Sequence, residues 1–199
     1  MEITAAMVKK LRDTTGAGMM ECKAALTEAN GNMDEAIAIL RKRGLAQATK
    51  KAGRSTNQGL VVHYDHMDGK LGVMVEVNCE SDFVARTEDF RNLTREIAMH
   101  IAAANPQYLR REDVPADLLD REREIYKGQM TGQNKPPQVI DKIVEGKLNS
   151  FFEQVCLLDQ PSIRDPKVTV SQMIQQAIAK LGENISIARF ARFKVGESG

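Results

Sequence analysis

Acidic and thiol side chains with chemical potential are concentrated in one short run of the 199-residue chain, at residues 76–86. Glu80 and Asp82 stand two positions apart, and the thiol of Cys79 directly precedes them. Acid–base or nucleophilic catalysis needs a second group that moves the proton, and no histidine or further acid is tied to these residues by a suitable spacing. An enzyme built on Cys79 or Asp82 would lack this group, so we predict that the protein is not an enzyme.

Phosphate and metal chemistry have weaker signals. Gly16-Ala17-Gly18 precedes a predicted helix, as a phosphate-binding loop would, but it follows a helix rather than a strand and lacks the lysine of a P-loop. A turn between two helices is the favoured interpretation. His63 and His66 have the spacing H-x-x-H, which is not a zinc-helix spacing and has no nearby cysteine pair. We expect no metal, no cofactor and no directly bound nucleotide.

The composition is that of an ordinary soluble chain of one or two domains, with 42% hydrophobic and 28% charged residues and a net charge of +1. A near-neutral chain gives no sign of a specific nucleic-acid partner, and its apolar runs are too short to cross a membrane. Cys22, Cys79 and Cys156 are an odd number at wide spacing, which favours free thiols over a disulfide framework. We expect a cytoplasmic protein without a membrane partner.

The elements around the acidic run place it at a strand-to-helix junction. Apolar residues alternate through 71–79, which predicts a strand, and recur at helical spacing through 88–104. In one interpretation Ser81 or Asp82 caps the following helix and Phe83 fills the core beneath it. In the other, Phe83 is an exposed aromatic wedge that enters a pocket of a partner. The junction alone leaves both interpretations open.

Three short helices are predicted at the N-terminus. Thr4 is a suitable N-cap for the first, and the second runs from about Met19 to Ala29. The third follows Asn32, which has the spacing of a capping box with Glu35. It is predicted to end at Gly44, because glycine readily adopts the left-handed conformation that terminates a helix.

A basic segment follows these helices, with Lys50, Lys51 and Arg54. It could contact RNA, but a solvated helix or linker is favoured because the whole chain is nearly neutral. The next residues, 55–59, have the composition of a turn. We therefore predict a helical domain over residues 1–54 and a core over residues 55–199.

The predicted core contains a small sheet. Strands at 60–64 and 71–79 are joined by a turn with Asp68-Gly69, which is a strong hairpin signal. A closing strand at 185–195 alternates imperfectly, and a bulge near Ala188-Arg189 would explain this. The fold class is therefore α+β, with a three-stranded antiparallel sheet packed with helices. A sheet covered on one side leaves an open face, so we expect a second copy of the chain to cover it.

The core helices are predicted at 88–104, 116–130 and 171–181, with a longer one that carries apolar residues from Ile140 to Leu158. Adjacent Phe151 and Phe152 mark that longer helix as a core helix. His100 lies among apolar neighbours, so we expect a hydrogen-bonded structural histidine rather than a contact residue.

Two long motifs in the same order resemble the signatures of the bacterial elongation factor Ts family. The first is LRDTTGAGMMECKAAL at residues 11–26, and the second is SDFVA at residues 81–85. The resemblance continues through IAMHIAA (97–103), VEGK (144–147) and FARF (190–193), and so extends over nearly the whole chain. Ser81 stands where the family usually has threonine, and Ala24 where a polar or basic residue is common.

The resemblance implies a ubiquitin-associated-like helical domain over 1–54 and a core with a dimerisation region over 55–199. This chain has one copy of the core signature and is similar to the short form that works as a homodimer. The implied function is guanine nucleotide exchange on elongation factor Tu, with release of GDP near the Mg²⁺ site. The implied contact residues are Ser81, Asp82, Phe83 and Val84 at that site, Arg12, Met19 and Met20 for N-terminal docking, and His66 as a further contact from the other half of the dimer.

Overall fold

A computed structural model describes residues 3–130 and 136–197. The described residues form eight α-helices, one short 3-10 helix at Arg111–Asp113 and three β-strands, which confirms the α+β class. The helices and strands, in chain order, are α1 Ala5–Thr15, α2 Met19–Glu28, α3 Met33–Lys51, β1 Gln58–His66, β2 Leu71–Cys79, α4 Asp82–Ala85, α5 Glu88–Ala104, α6 Ala116–Gly128, α7 Pro137–Val155, α8 Val170–Leu181 and β3 Ile185–Lys194.

The described residues divide into two compact units, each built from three chain segments. The first unit runs over Met1–Val62, Val75–Glu96 and Gln172–Ala188. The second runs over His63–Met74, Ile97–Ser171 and Arg189–Gly199. The proposed division into domains at residue 54 stays a prediction.

The three N-terminal helices are confirmed, and local hydrogen bonds set their ends. The Thr4 hydroxyl accepts a hydrogen bond from the Met7 amide at 3.3 Å, as expected of an N-cap. Helix α1 ends at Gly16, whose φ of 68° is the left-handed conformation that glycine adopts without strain. The buried side chains that join the helices are Val8, Leu11, Cys22, Ala25, Leu26, Ala29 and Ala36.

Helix α3 begins as predicted but does not end at Gly44. The Asn32 side chain accepts hydrogen bonds from the first amides of the helix, which then continues to Lys51. A Cβ atom on Gly44 would lie 3.1 Å from the Cβ of Ala179 in α8. The glycine is thus used for close packing between two helices of the first unit, and the prediction of a helix end there was wrong.

The sheet has the strand order β1-β2-β3, with β2 in the centre. Strand β2 matches its predicted range, and every second residue, from Leu71 to Cys79, is buried. Strand β1 is longer than predicted at both ends. It contains Gly59 at a φ of 149°, where a Cβ atom would lie 2.2 Å from the Val77 carbonyl oxygen, so only glycine fits beside β2. The bulge proposed near Ala188 stays a prediction.

The longest helix of the second unit, α7, buries less than its sequence indicates. Val144 and Leu148 are buried, whereas Phe151 and Phe152 are half-buried. The Arg111 guanidinium lies 4.7 Å from the centre of the Phe152 ring, which therefore carries a cation on its outer face. The prediction that both rings mark a core helix holds for the helix but not for the rings. The sequence also predicts a loop over residues 131–137, and most of it lies outside the described residues.

His100 is the buried structural histidine that the sequence predicted, with 1% of its surface exposed. The Gln160 side chain donates its N–H to the Gln154 carbonyl at 2.8 Å, which leaves its oxygen as the acceptor for His100 Nε2 at 2.9 Å. Nδ1 has no hydrogen-bond partner among the described residues. The ring is therefore held neutral, with its proton on Nε2.

The free energy of unfolding is expected to fall as the pH drops below about 6.5, in part because of His100. Burial lowers the pKa of His100 in the folded state, so the unfolded chain binds more protons in the interval between the folded pKa and the ordinary value. Urea unfolding of wild type and His100→Gln at pH 7.5 and 5.5 measures this. The difference between the free energies of unfolding at the two pH values should shrink in His100→Gln. An unchanged difference in this variant would contradict the assignment.

Candidate partner-binding site at the strand-to-helix junction

The junction between β2 and α4 is a polar turn that starts a very short helix. Ser81 is the N-cap of α4, with extended backbone at φ −126° and ψ 156°. Its hydroxyl oxygen accepts a hydrogen bond from the Val84 amide at 3.3 Å. The capping role proposed for Ser81 is therefore confirmed, and the turn presents the next side chain, Asp82, at the start of the helix.

Phe83 points away from the core. Its side chain is 78% exposed, whereas Val84 is half-buried and Ala85 is buried. The interpretation in which Phe83 fills the core is wrong, and the exposed position is confirmed. A large apolar ring held in water at the first turn of a capped helix is a feature that partner-binding surfaces use.

A carboxylate from a distant segment holds Ser81 in place. The Ser81 amide and hydroxyl donate to the two carboxylate oxygens of Glu183, at 2.9 and 2.6 Å. In return Glu80 accepts from the Asn184 amide at 2.6 Å. Two acids thus fix the turn before α4 and the turn before β3 to each other, with charge-assisted hydrogen bonds. A threonine hydroxyl at position 81 offers the same donor and acceptor, so serine preserves the contact.

Glu183 is a positioning residue for Ser81 that the local sequence does not indicate. The sequence predicts a turn at Gly182-Glu183-Asn184 but no contact for its acid. The only indication in the sequence is an acidic residue in the turn between a helix and a strand. Because its partner Ser81 lies 102 residues away, local sequence does not reveal the contact. The spacing of Glu80 and Asp82 suggests only an acid pair, whereas Glu80 contacts the Asn184 amide and, at 3.5 Å, Arg54.

The remaining polar groups of the junction form hydrogen bonds with neighbouring residues of the same segment. Asp82, whose side chain is 46% exposed, accepts a hydrogen bond from Arg86 at 2.7 Å one helical turn away. The Cys79 thiol donates to the Ser81 carbonyl at 3.1 Å. Burial, and then the nearby charge of Glu183, raise the pKa of Cys79 above its ordinary value. The thiolate is therefore disfavoured, which argues against a thiol enzyme at this position.

The residues proposed for N-terminal docking lie on both sides of the α1–α2 turn. Arg12 is exposed near the end of α1, and Met19 and Met20, at the start of α2, are 48% and 76% exposed. They belong to the same unit as the junction. His66 lies in the second unit, exposed at the end of β1, with its Nδ1 3.1 Å from the Tyr64 hydroxyl.

Within residues 3–130 and 136–197, no three side chains of histidine, cysteine, aspartate or glutamate come together in a group that could hold a metal ion. In the same residues, no helix has the length and apolar content needed to span a membrane. The three cysteines are buried and free. The fold and the junction thus define an α+β protein with an exposed aromatic side chain directly after a hydrogen-bonded polar turn.

Comparison with known proteins identifies its family. The sequence model of the family "Elongation factor TS" matches residues 1–197. The chain is 59% identical to elongation factor Ts of Fervidobacterium nodosum over 197 residues, 99% of this chain and 100% of that protein. It is 58% identical to elongation factor Ts of Thermodesulfovibrio yellowstonii over 198 residues, 100% of this chain and 98% of that protein. The chain belongs to the elongation factor Ts family and thus to the elongation factors of translation.

Proposed function

We propose that the protein is a cytoplasmic guanine nucleotide exchange factor, which binds elongation factor Tu with GDP and promotes release of the GDP so that GTP can bind. The observation that carries this proposal is the exposure of Phe83, 78%, on a helix whose start is fixed by Ser81 and Glu183. A ring that is exposed yet rigidly mounted can enter a partner pocket with little loss of conformational freedom.

The exchange mechanism follows from linkage between two binding equilibria. A GTPase holds GDP through P-loop amides, a lysine and Mg²⁺. An exchange factor binds the nucleotide-free GTPase better than the GDP-bound GTPase. By linkage, the exchange factor weakens the binding of GDP to the GTPase, and GDP weakens the binding of the exchange factor by the same factor. Phe83 is the wedge in this proposal, and it enters an apolar pocket near the Mg²⁺ site of elongation factor Tu.

Asp82 supplies the polar part of the proposed wedge. In the free protein its carboxylate is paired with Arg86, and the side chains of Asp82 and Arg86 are 46% and 73% exposed. Such a pair is worth little, so Asp82 can exchange Arg86 for groups around the Mg²⁺ and phosphate site. Ser81 and Val84 shape the turn that carries both residues.

Docking by the N-terminal helices is the second part of the proposal. Arg12, Met19 and Met20 would contact the nucleotide domain of elongation factor Tu, and exposed methionines are adaptable contact residues. Residues 1–54 would form a ubiquitin-associated-like domain. His66 would contribute a further contact from the second copy of a dimer.

A homodimer through the core, residues 55–199, is part of the same proposal. Each strand of the sheet carries a large apolar side chain that is exposed in one copy: Val61 (61%), Met74 (54%) and Phe193 (72%). Sedimentation at micromolar protein concentration is expected to give the mass of a dimer. A monomer with full exchange activity would contradict this part.

Stopped-flow release of a fluorescent GDP from elongation factor Tu tests the function directly. The protein is expected to accelerate release, with a rate that rises with its concentration and saturates. The competing function is a binding module that contacts RNA through Lys50, Lys51 and Arg54; it predicts no acceleration and salt-sensitive RNA binding. Two of these cations are already engaged, because Lys51 donates to the Gly182 carbonyl at 2.6 Å and Arg54 pairs with Glu80.

A further inference from the structure

An open groove of about 200 Å³ lies between strand β1 and helix α5, within the first unit. Leu60, Val61 and Val62 line it from the strand, and Arg91, Thr94 and Arg95 line it from the helix. None of these residues belongs to the junction or to the N-terminal docking group, and only Val61 also belongs to the proposed dimer face. The groove therefore needs an explanation of its own.

One wall of the groove is an unpaired sheet edge. Strand β1 is the first in the order β1-β2-β3 and pairs only with β2, and its residues form no backbone hydrogen bond with any other described segment. An edge strand presents a row of free N–H and C=O groups, which an extended peptide can pair with as an added strand.

The other wall carries two free positive charges. Arg91 and Arg95 are exposed, and their guanidinium groups form no hydrogen bond or ion pair with any described residue. The nearby acid Asp89 is already paired with Lys180 at 2.7 Å, and Glu96 has an interaction of its own. The groove thus combines main-chain donors and acceptors with two arginines that form no ion pair with any described residue.

The spacing of the two arginines matches that of alternate side chains in a strand. Residues four apart on a helix are separated by about 6 Å along its axis. Alternate residues of an extended chain are separated by roughly 6.7 Å and point to the same side. We propose that this groove binds an extended acidic segment of a partner protein, which pairs with β1 and sets two acidic side chains, at alternate positions, against Arg91 and Arg95.

The residue between the two acids would then lie on the opposite side of the added strand and is expected to be apolar. A peptide fits this surface better than RNA does, because the edge of β1 offers a backbone-to-backbone ladder and Leu60 and Val62 add apolar side chains to the groove lining. RNA would use the two arginines alone, and it is one of the outcomes that the test distinguishes.

Fluorescence anisotropy with a short labelled peptide tests the proposal on the full chain. The probe has a Glu-Val-Glu-Val-Glu centre and blocked ends. It is expected to bind saturably, and binding should weaken as salt is raised. Two control peptides should each bind at least roughly tenfold more weakly. One has lysine in place of each glutamate, which reverses the charge, and the other is methylated on alternate backbone nitrogens, which removes the donors that would pair with β1. Equal binding of either control peptide would overturn the proposal.

The double variant Arg91→Gln/Arg95→Gln should bind the acidic peptide at least roughly tenfold more weakly. The matched control Arg121→Gln/Arg123→Gln removes two exposed arginines from α6 and should bind it as wild type does. GDP release from elongation factor Tu should be unchanged in both, which keeps this test separate from the proposed function. The proposal would be overturned if binding of the peptide did not saturate at concentrations up to about 1 mM. It would also be overturned if oligouridine RNA displaced the peptide and the binding of that RNA itself required Arg91 and Arg95.

Discussion

Phe83→Ala is expected to slow GDP release from elongation factor Tu by about 30-fold at equal protein concentration. Truncation of a central interface aromatic commonly costs about 2 kcal/mol or more in binding, which corresponds to a factor of that size. The substitution should lower the rate at which the factor displaces GDP, because Phe83 is the side chain proposed to enter the pocket near the Mg²⁺ site. The measurement is stopped-flow release of fluorescent GDP over a range of factor concentrations.

The fold of Phe83→Ala should be intact, because the ring is 78% exposed and fills no core space. Its free energy of unfolding is expected to stay within a few tenths of a kcal/mol of wild type. Ile125→Ala is a matched control, since it removes another large apolar side chain, 52% exposed, from helix α6. Phe83→Leu should give an intermediate rate, because it keeps part of the apolar volume. Normal exchange by Phe83→Ala would show that the ring is not the wedge.

Those parts of the fold that depend on local pattern were predictable from the sequence. The period-two run of β2 and the helical run of α5 gave the observed bounds, and the short-range cap at Ser81 was among the proposed interpretations. Capping is a contact within three residues, so its residue types and spacing are visible in the chain itself.

The features that the sequence did not predict depend on contacts between distant segments. Gly44 has the sequence signature of a helix end, but its contact with Ala179 makes it a packing position inside α3. Glu183 acts on a residue 102 positions away. The exposure of Phe83 likewise depends on the orientation of α4 after the turn. From sequence alone, a lone aromatic among apolar neighbours is more often buried. Local propensity carries no information on any of these.

The contact between Glu183 and Ser81 should be important both for stability and for exchange. Glu183→Ala removes two charge-assisted hydrogen bonds from a half-buried turn and leaves the Ser81 amide without its acceptor. A loss of about 2–3 kcal/mol in the free energy of unfolding is expected. Glu183→Gln keeps one oxygen as an acceptor and should lose about half as much. Urea unfolding measures both, with Glu124→Ala as control because that acid forms only an exposed pair with Lys127.

The effect of Glu183 on exchange should act through the position of Phe83, and a double-mutant cycle separates this from general destabilisation. At a temperature where every variant is folded, Glu183→Ala is expected to slow GDP release several-fold in the wild-type background. In the Phe83→Ala background the same change should add little, since the ring that the turn positions is already absent. If the two effects are independent, the fold-reductions in the rate of GDP release caused by the two substitutions will multiply in the double variant. Glu183 would then have a structural role only. Non-additivity would assign the carboxylate of Glu183, remote in sequence, to the positioning of the wedge.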